Sequence, residues 1–268
     1  MKRYFVIKHC WLFVAAGALA LPQAGAQALK DTRSAAVIDD LVNANRILFS
    51  QGIVDGFGHI SARSPIDPRH FFMARSIAPS DVKVADIMEF DSDGKVIGED
   101  PRQPYAERYI HSEIYKSRPE IMSVVHAHSA AVIPFSITGV PLMPVYHMSG
   151  FLGKGAPVFD VRDTSPGNPD SDLLVKNDRL GAQLAEKLGT ASVVLMRGHG
   201  FTAVGSSVSV AVFRSVYTEQ NARIQSESLK LGTPKFLTVR EAQMTQETME
   251  RLSGRAWEMW KKQADQVR

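Results

Sequence analysis

The sequence predicts a single domain of the α/β class. Segments with the periodicity of amphipathic helices alternate with short apolar runs that are typical of strands. No internal repeat, linker or low-complexity run divides the chain, and 268 residues are enough to bury a sizeable core. With 44% hydrophobic and 22% charged residues, the composition excludes collagen-like, coiled-coil, disordered and disulfide-rich classes.

Helices are predicted where apolar residues recur every three or four positions and a stop signal follows. They cover residues 33–51, 105–117, 173–188, 208–231 and 239–263. Strands are predicted for short apolar runs at 56–64 (entered from a loop), 71–77, 87–90, 124–128 and 192–197. Residues 91–94 predict a hairpin turn rather than a calcium loop, because the third acidic position is Lys95 and no Glu lies at the closing position. Residues 153–172 are rich in Gly, Pro and Asp and predict a loop with short strands.

Residues 1–26 have the layout of a secretory signal peptide. Basic residues at positions 2, 3 and 8 come first, and an apolar run from Trp11 to Leu21 follows that is too short to span a bilayer. Pro22 breaks this run, and Ala24-Gly25-Ala26 supplies the small residues of a cleavage site. We therefore predict cleavage after Ala26 and a periplasmic or secreted product. Residues 27–268 would form one domain with C-terminal helices and no membrane partner.

Removal of this segment changes the charge and the cysteine content. The chain has 31 basic and 28 acidic residues, and residues 1–26 hold three of the basic ones and no acidic one. The product is then formally neutral, without the positive field of a nucleic-acid binder, so no nucleic-acid partner is predicted. Cys10 is the single cysteine. An internal disulfide and a cysteine-based zinc site are therefore excluded.

Three histidines form a candidate metal site. His126 and His128 are two residues apart on a predicted strand, which puts both side chains on one face. His199 lies between two glycines after another predicted strand, and glycine lets a backbone approach a bound ion closely. Three histidines with one open position are the donor set of a catalytic zinc site. The alternative is that these are solvent-facing or core histidines, because spacing alone does not bring His199 to the pair.

The pattern around these histidines resembles the class II aldolase/adducin-head family. Four runs occur in the order that the family has them: residues 56–63 with Gly-Phe-Gly-His-Ile-Ser, 104–119 with Glu107, 124–128 with His-Ala-His, and 197–200 with Arg-Gly-His-Gly. The resemblance covers about residues 33–232. It implies a three-layer α/β/α sandwich around a mainly antiparallel sheet. It also implies a homo-oligomer, commonly a tetramer.

The resemblance implies a role for each residue of the site. His126, His128 and His199 match the metal ligands, with Zn²⁺ the expected ion and Mn²⁺ or another divalent cation the alternative, and Glu107 matches the general acid/base. A divalent cation stabilises the negative charge that develops when a carbon–carbon bond next to a carbonyl breaks, and a carboxylate moves the proton. The implied function is a metal-dependent carbon–carbon lyase, an aldolase or a decarboxylase, that acts on a small hydroxy-carbonyl or hydroxy-acid substrate. The alternative is a non-catalytic interaction module like the adducin heads.

The sequence departs from the sugar-phosphate members where they bind phosphate. Their Asn is replaced by His59, and their paired small hydroxyl residues by Tyr105 and Ala106. We therefore predict a substrate without phosphate, as in the members that decarboxylate hydroxylated aromatic or related acids.

Five residues are predicted to bind the substrate. They are His59, Ser61, Ser80, His147 and Arg197. Arg197 is suited to hold a carboxylate through two hydrogen bonds, with a surface ion pair as the alternative. His111 lies four residues after Glu107 on the same helical face, and we expect it in the core or at an interface.

Overall fold

The computed structural model describes Met1, residues 23–164 and residues 171–266, with side chains from Thr32 onward in the first helix. Most of the predicted signal peptide, and residues 165–170 of the predicted loop, lie outside the described residues. The first helix begins at Gln23, so cleavage after Ala26 would remove its first four residues. No helix of the described ranges combines the length and the apolar character needed to cross a membrane.

Seven helices and seven strands make up the described ranges. The helices are α1 (Gln23–Ser50), α2 (Arg108–Ser117), α3 (Ile133–Ile137), α4 (Asp178–Leu188), α5 (Val208–Leu231), α6 (Val239–Arg251) and α7 (Ser253–Gln266). The strands are β1 (His59–Arg63), β2 (Phe71–Ala74), β3 (Ile87–Phe90), β4 (Ser123–Ala127), β5 (Val158–Phe159), β6 (Val193–Met196) and β7 (Gly200–Gly205). Short 3-10 turns include Pro79–Asp81 and His147–Leu152.

The strands form one sheet in the order β3-β2-β1-β4-β7-β6-β5. Every neighbouring pair is antiparallel except β5 and β6, which are parallel. The sheet is therefore mixed, and the prediction of a mainly antiparallel sheet is confirmed. β4 is the central strand of this order, with β1 and β7 on either side of it, and all residues of these three strands are buried.

Helices cover both faces of the sheet. One face packs against α1, α5 and α7, whose apolar residues join Val125 and Ala127 of β4 in one core. The other face packs against α2 and α4, which share a second core with Val124. Successive side chains of a strand point to opposite faces, so His126 lies on the α2 side. The three-layer α/β/α prediction is confirmed.

Three differences from the predicted elements have physical reasons. Residues 200–205 form β7, which the sequence analysis missed because two glycines and Thr202 interrupt its apolar run. The predicted helix 173–188 begins only at Asp178, where the Asn177 side chain accepts a hydrogen bond from the Leu180 N–H and caps it. The predicted helix 239–263 is broken at Leu252 into α6 and α7.

Candidate active site

The sheet brings the three predicted histidine ligands together. His126 lies in β4, His128 follows β4, and His199 lies in the turn between β6 and β7. β7 pairs with β4 so that Phe201 is opposite Ala127, which places the turn before β7 beside the end of β4. Gly198 has φ +64° in this turn, and a Cβ on Gly200 would lie 2.1 Å from the Ala127 carbonyl oxygen. Both glycines are therefore required for His199 to reach the pair.

The histidine nitrogens converge on one point. The Nε2 atom of His128 lies 3.1 Å from that of His126 and 3.0 Å from that of His199. The Glu107 Oε2 atom lies 3.6 Å from the Nε2 atoms of both His126 and His199. One ligand atom from each of the four residues lies within 4.8 Å of the others. The structure thus groups all four residues that the family resemblance implied.

Backbone carbonyls fix the orientation of two of these rings. The Nδ1 atom of His126 lies 3.1 Å from the Phe201 carbonyl oxygen, and that of His199 lies 3.1 Å from the Leu173 carbonyl oxygen. A carbonyl only accepts hydrogen bonds, so both Nδ1 atoms carry the proton. Both Nε2 atoms then present lone pairs to the centre of the cluster. This is the arrangement in which histidine binds a metal ion.

Burial keeps the three imidazoles neutral. It lowers the pKa of His126 well below its ordinary value, and the neighbouring histidines lower it further. Burial also lowers the pKa values of His128 and His199, although the Glu107 carboxylate partly opposes the shift for His199. Protonation would place positive charges about 3 Å apart, so the site favours uncharged rings whose lone pairs are free for a cation.

The residues present fit a divalent metal. Three tetrahedral ligands at the zinc–nitrogen bond length would lie about 3.3 Å apart, close to the separations of the Nε2 atoms here. Without a cation, three converging lone pairs would repel each other in a buried site. The neutral nitrogen donors suit zinc and other first-row divalent ions.

Glu107 precedes α2 and is buried beside the cluster. Its Oε1 atom accepts a hydrogen bond of 2.8 Å from the Val175 N–H, so only Oε2 faces the histidines. Burial raises the pKa of this carboxyl, while the neighbouring His199 and the hydrogen bond from the Val175 N–H oppose the rise. A buried carboxyl with a raised pKa holds a proton more readily than a surface one, which suits a general acid/base.

His59 and Ser61 belong to a buried chain of side chains beneath the site. The His59 ring centroid lies 5.1 Å from that of His126, and its Nδ1 atom lies 2.8 Å from His111 Nε2. The Ser61 hydroxyl lies 2.6 Å from His111 Nδ1 and 2.7 Å from the Tyr115 hydroxyl. Ser61 is fully buried and uses its hydroxyl within the protein, which does not fit the direct substrate contact predicted for it. His111 lies in the core, as expected.

His59 and Tyr105, which stand at phosphate-cradle positions of the sugar-phosphate members, contact each other. The Tyr105 ring lies 4.6 Å from the His59 ring, and its hydroxyl donates a hydrogen bond to the Ile77 carbonyl oxygen. Burial lowers the pKa of His59 well below its ordinary value, so this ring is neutral. Neither residue offers the charge or the free hydroxyl that a phosphate dianion needs.

The other predicted substrate residues lie away from the four-residue cluster or are engaged elsewhere. The Nε atom of Arg197 lies 2.9 Å from the Asp160 Oδ2 atom, which is the ion pair that the sequence analysis left open. Ser80 is exposed on a 3-10 turn and lines a separate cleft of about 770 Å³ with Arg75 and Arg46. His147 is exposed at the start of another 3-10 turn. Substrate contacts of these three residues stay predictions.

Two features at the edge of the cluster were missed. The Phe57 ring is 69% exposed and lies 6.4 Å from the His128 ring. Its position between two glycines, just before His59, was the available signal. Leu173, whose carbonyl holds His199, has φ +62°, a left-handed conformation that is strained for leucine. No sequence pattern reveals that contact.

Comparison with known proteins identifies the family of the chain. The family described as Class II Aldolase and Adducin N-terminal domain matches residues 39–226. The chain belongs to this family. Decarboxylase tropJ of Talaromyces stipitatus is 40% identical over 84% of this chain and 92% of its own length. The 3,4-dihydroxyphthalate decarboxylase of a Terrabacter species is 31% identical over 72% of this chain and 81% of its own.

Solved structures of the family share the fold. L-fuculose 1-phosphate aldolase from Glaciozyma antarctica superimposes with a TM-score of 0.71 at 22% identity, over 89% of this chain and 92% of that one. The comparisons confirm the predicted enzyme class, a lyase of the class II aldolase family.

Proposed function

We propose that this protein is a metal-dependent decarboxylase that releases carbon dioxide from a small hydroxy acid without a phosphate group. The observation that carries the proposal is a three-histidine donor set beside which His59 carries no charge and Tyr105 has no free hydroxyl for phosphate. The decarboxylases among its relatives support the same reaction. A non-catalytic role like that of the adducin heads is disfavoured, since all four site residues are retained and converge.

Each residue of the site has a separate role in the proposed reaction. His126, His128 and His199 would hold the ion, whose positive charge stabilises the negative charge that develops on substrate oxygen when the carbon–carbon bond breaks. The bond to the carboxylate breaks, carbon dioxide leaves, and its electron pair stays on the remaining fragment. The Oε2 atom of Glu107 faces this position and is the group that returns a proton to carbon. The buried setting of these residues excludes bulk water and strengthens each electrostatic interaction.

Product analysis tests this proposal. The zinc-loaded protein would be incubated with 3,4-dihydroxyphthalate, with a panel of hydroxy acids and with L-fuculose 1-phosphate, and carbon dioxide and aldehyde would both be measured. We expect carbon dioxide from at least one hydroxy acid. His128→Ala serves as a matched control without the metal site. Efficient aldehyde release from the sugar phosphate, with no carbon dioxide from any acid, would show that the chain is an aldolase.

Zinc is the ion we propose for the site. Zinc accepts three imidazole nitrogens and one open position without a geometric preference of its own. Metal analysis of protein purified without added metal should find one zinc per chain. One manganese or another divalent ion per chain would assign the site to that metal instead.

We also propose that the protein is exported after cleavage at Ala26. The apolar residues by which α1 packs against the core begin at Val37, so the cleaved chain keeps that contact. N-terminal sequencing of protein from its native host should begin at Gln27, and an intact Met1 would contradict the proposal. A homotetramer, which the family resemblance implies, would be tested by sedimentation equilibrium of the same sample.

A further inference from the structure

We propose that Phe57 selects an aromatic substrate by stacking on the ring of a hydroxy acid bound at the metal site. This inference rests on the proposed function, because it names the substrate class of the same site. The first observation is the exposure of Phe57. Its side chain is 69% exposed, against 40% for Phe49 and 36% for Phe236, the next most exposed phenylalanines in the described ranges.

The position of Phe57 points to the site. Its ring centroid lies 6.4 Å from that of His128, and the two planes are inclined by 45°. A phenyl ring left in water forgoes the free energy of burial. Paired aromatic rings have centroids 4.5–7 Å apart, so a ring bound next to His128 would lie within stacking distance of Phe57.

The turn that carries Phe57 is held rigidly. The Asp55 carboxylate accepts a hydrogen bond of 2.8 Å from the Phe57 N–H, and the Asp55 N–H donates one of 3.3 Å to the Phe57 carbonyl. Gly58 has φ +91°, and a Cβ there would lie 2.7 Å from the Val54 Cγ1 atom. The ring is therefore presented in a fixed place before any ligand binds, which lowers the entropic cost of binding.

Two more apolar side chains lie close to the residue before His199. A Cβ built on Gly198 would lie 3.8 Å from Leu173 and 3.9 Å from Ile137, which is 57% exposed. The Nε2 atoms of His199 and His128 are only 3.0 Å apart. Exposed apolar side chains thus lie near a polar centre, which suits a flat ring that carries its oxygen atoms on one edge.

A pair of ligands that differ only by a ring tests the inference. Mandelate and lactate share the same hydroxy-acid group, but mandelate has a phenyl ring in place of the methyl group. Their dissociation constants would be measured by calorimetry on the zinc-loaded protein. We expect mandelate to bind about tenfold more tightly than lactate. Phe57→Ala should remove most of this preference and change lactate binding less than about twofold.

Two further variants complete the design. Phe57→Tyr keeps the ring and should keep the preference, and Phe236→Ala, which removes an exposed phenylalanine outside the cluster, should leave it unchanged. The bound zinc of every variant would be measured alongside. The inference would be overturned if Phe57→Ala kept the wild-type preference for mandelate over lactate. It would also be overturned if this substitution weakened the binding of mandelate and of lactate equally. A failure to release carbon dioxide from any acid would remove the proposed function but leave this binding result intact, so the two failures are distinguishable.

Discussion

Ser61 joins His111 and Tyr115 through its hydroxyl, so its replacement has a predictable cost. Ser61→Ala would remove the partner of His111 Nδ1 and the side-chain partner of the Tyr115 hydroxyl, in a region where Ser61 and His111 are fully buried. Each buried polar group left unpaired costs about 1–3 kcal/mol, which gives about 3 kcal/mol in total. Tyr115→Phe removes only one bond, because Ser61 keeps His111, and should cost about 1 kcal/mol.

The double variant separates this explanation from simple loss of packing. With both changes, the Tyr115 hydroxyl is no longer present to be left unpaired, and only His111 Nδ1 loses its partner. We therefore expect a combined loss of about 1.5 kcal/mol, which is about 2.5 kcal/mol smaller than the sum of the two single losses. Urea unfolding at one fixed protein concentration would measure all four states of the cycle. Ser228→Ala, which removes an exposed serine hydroxyl bound to a helix carbonyl, is the control and should change stability by less than about 0.5 kcal/mol. Strictly additive losses would refute the chain of hydrogen bonds.

Three more outcomes are expected from the same structure. Replacing His126 or His199 by Ala should remove most of the bound metal, as measured by elemental analysis, and undiminished metal content would contradict the ligand assignment. Glu107→Gln should slow product protonation without raising KM. Arg197→Ala should raise KM if Arg197 holds the substrate carboxylate. Full activity of both variants, with the metal retained, would exclude both roles. Burial lowers the pKa of His111 to about 3, so the native state leaves it neutral while the unfolded state takes up a proton below about pH 6.5. The stabilisation that comes from keeping His111 neutral in the native state is fully present above pH 6.5. It is lost as the pH falls, and the free energy of unfolding decreases by about 2 kcal/mol between pH 6.5 and 5. Urea midpoints measured over this range should show a smaller decline in His111→Gln, and an equal decline would contradict the assignment.

Local periodicity was enough to predict part of the metal site. The spacing of His126 and His128 on a strand places both on one face whatever the rest of the fold does. His199 required the family resemblance, because its position depends on the pairing of β7 with β4. That strand was missed, since Gly200, Thr202 and Gly205 weaken its apolar pattern. The same Gly200 is needed because the Ala127 carbonyl leaves no room for a side chain.

The predicted substrate residues show where sequence patterns stop being informative. Alternation along β1 places His59 and Ser61 on the same face, but it does not say what lies opposite that face. In the structure α2 lies opposite this face, and it supplies His111 and Tyr115 as hydrogen-bond partners. Likewise, Arg197 and His199 are close in sequence, but the Arg197 guanidinium lies beside Asp160. Which partner a polar side chain finds is decided by tertiary packing.

The proposed metal ligands and the residues at the phosphate-cradle positions come from neighbouring parts of the sheet. The ligands come from β4 and the β6–β7 turn, whereas the residues that replace the phosphate cradle come from β1 and from the segment before α2. His59 is opposite His126 in the pairing of β1 with β4, and their ring centroids lie 5.1 Å apart, so the two sets of residues are in contact. The neutral His59 and the engaged Tyr105 hydroxyl offer a phosphate dianion neither a charge nor a free hydroxyl, and the exposed Phe57 ring lies 6.4 Å from that of His128. The same metal chemistry can thus serve a different class of substrate on an unchanged ligand set.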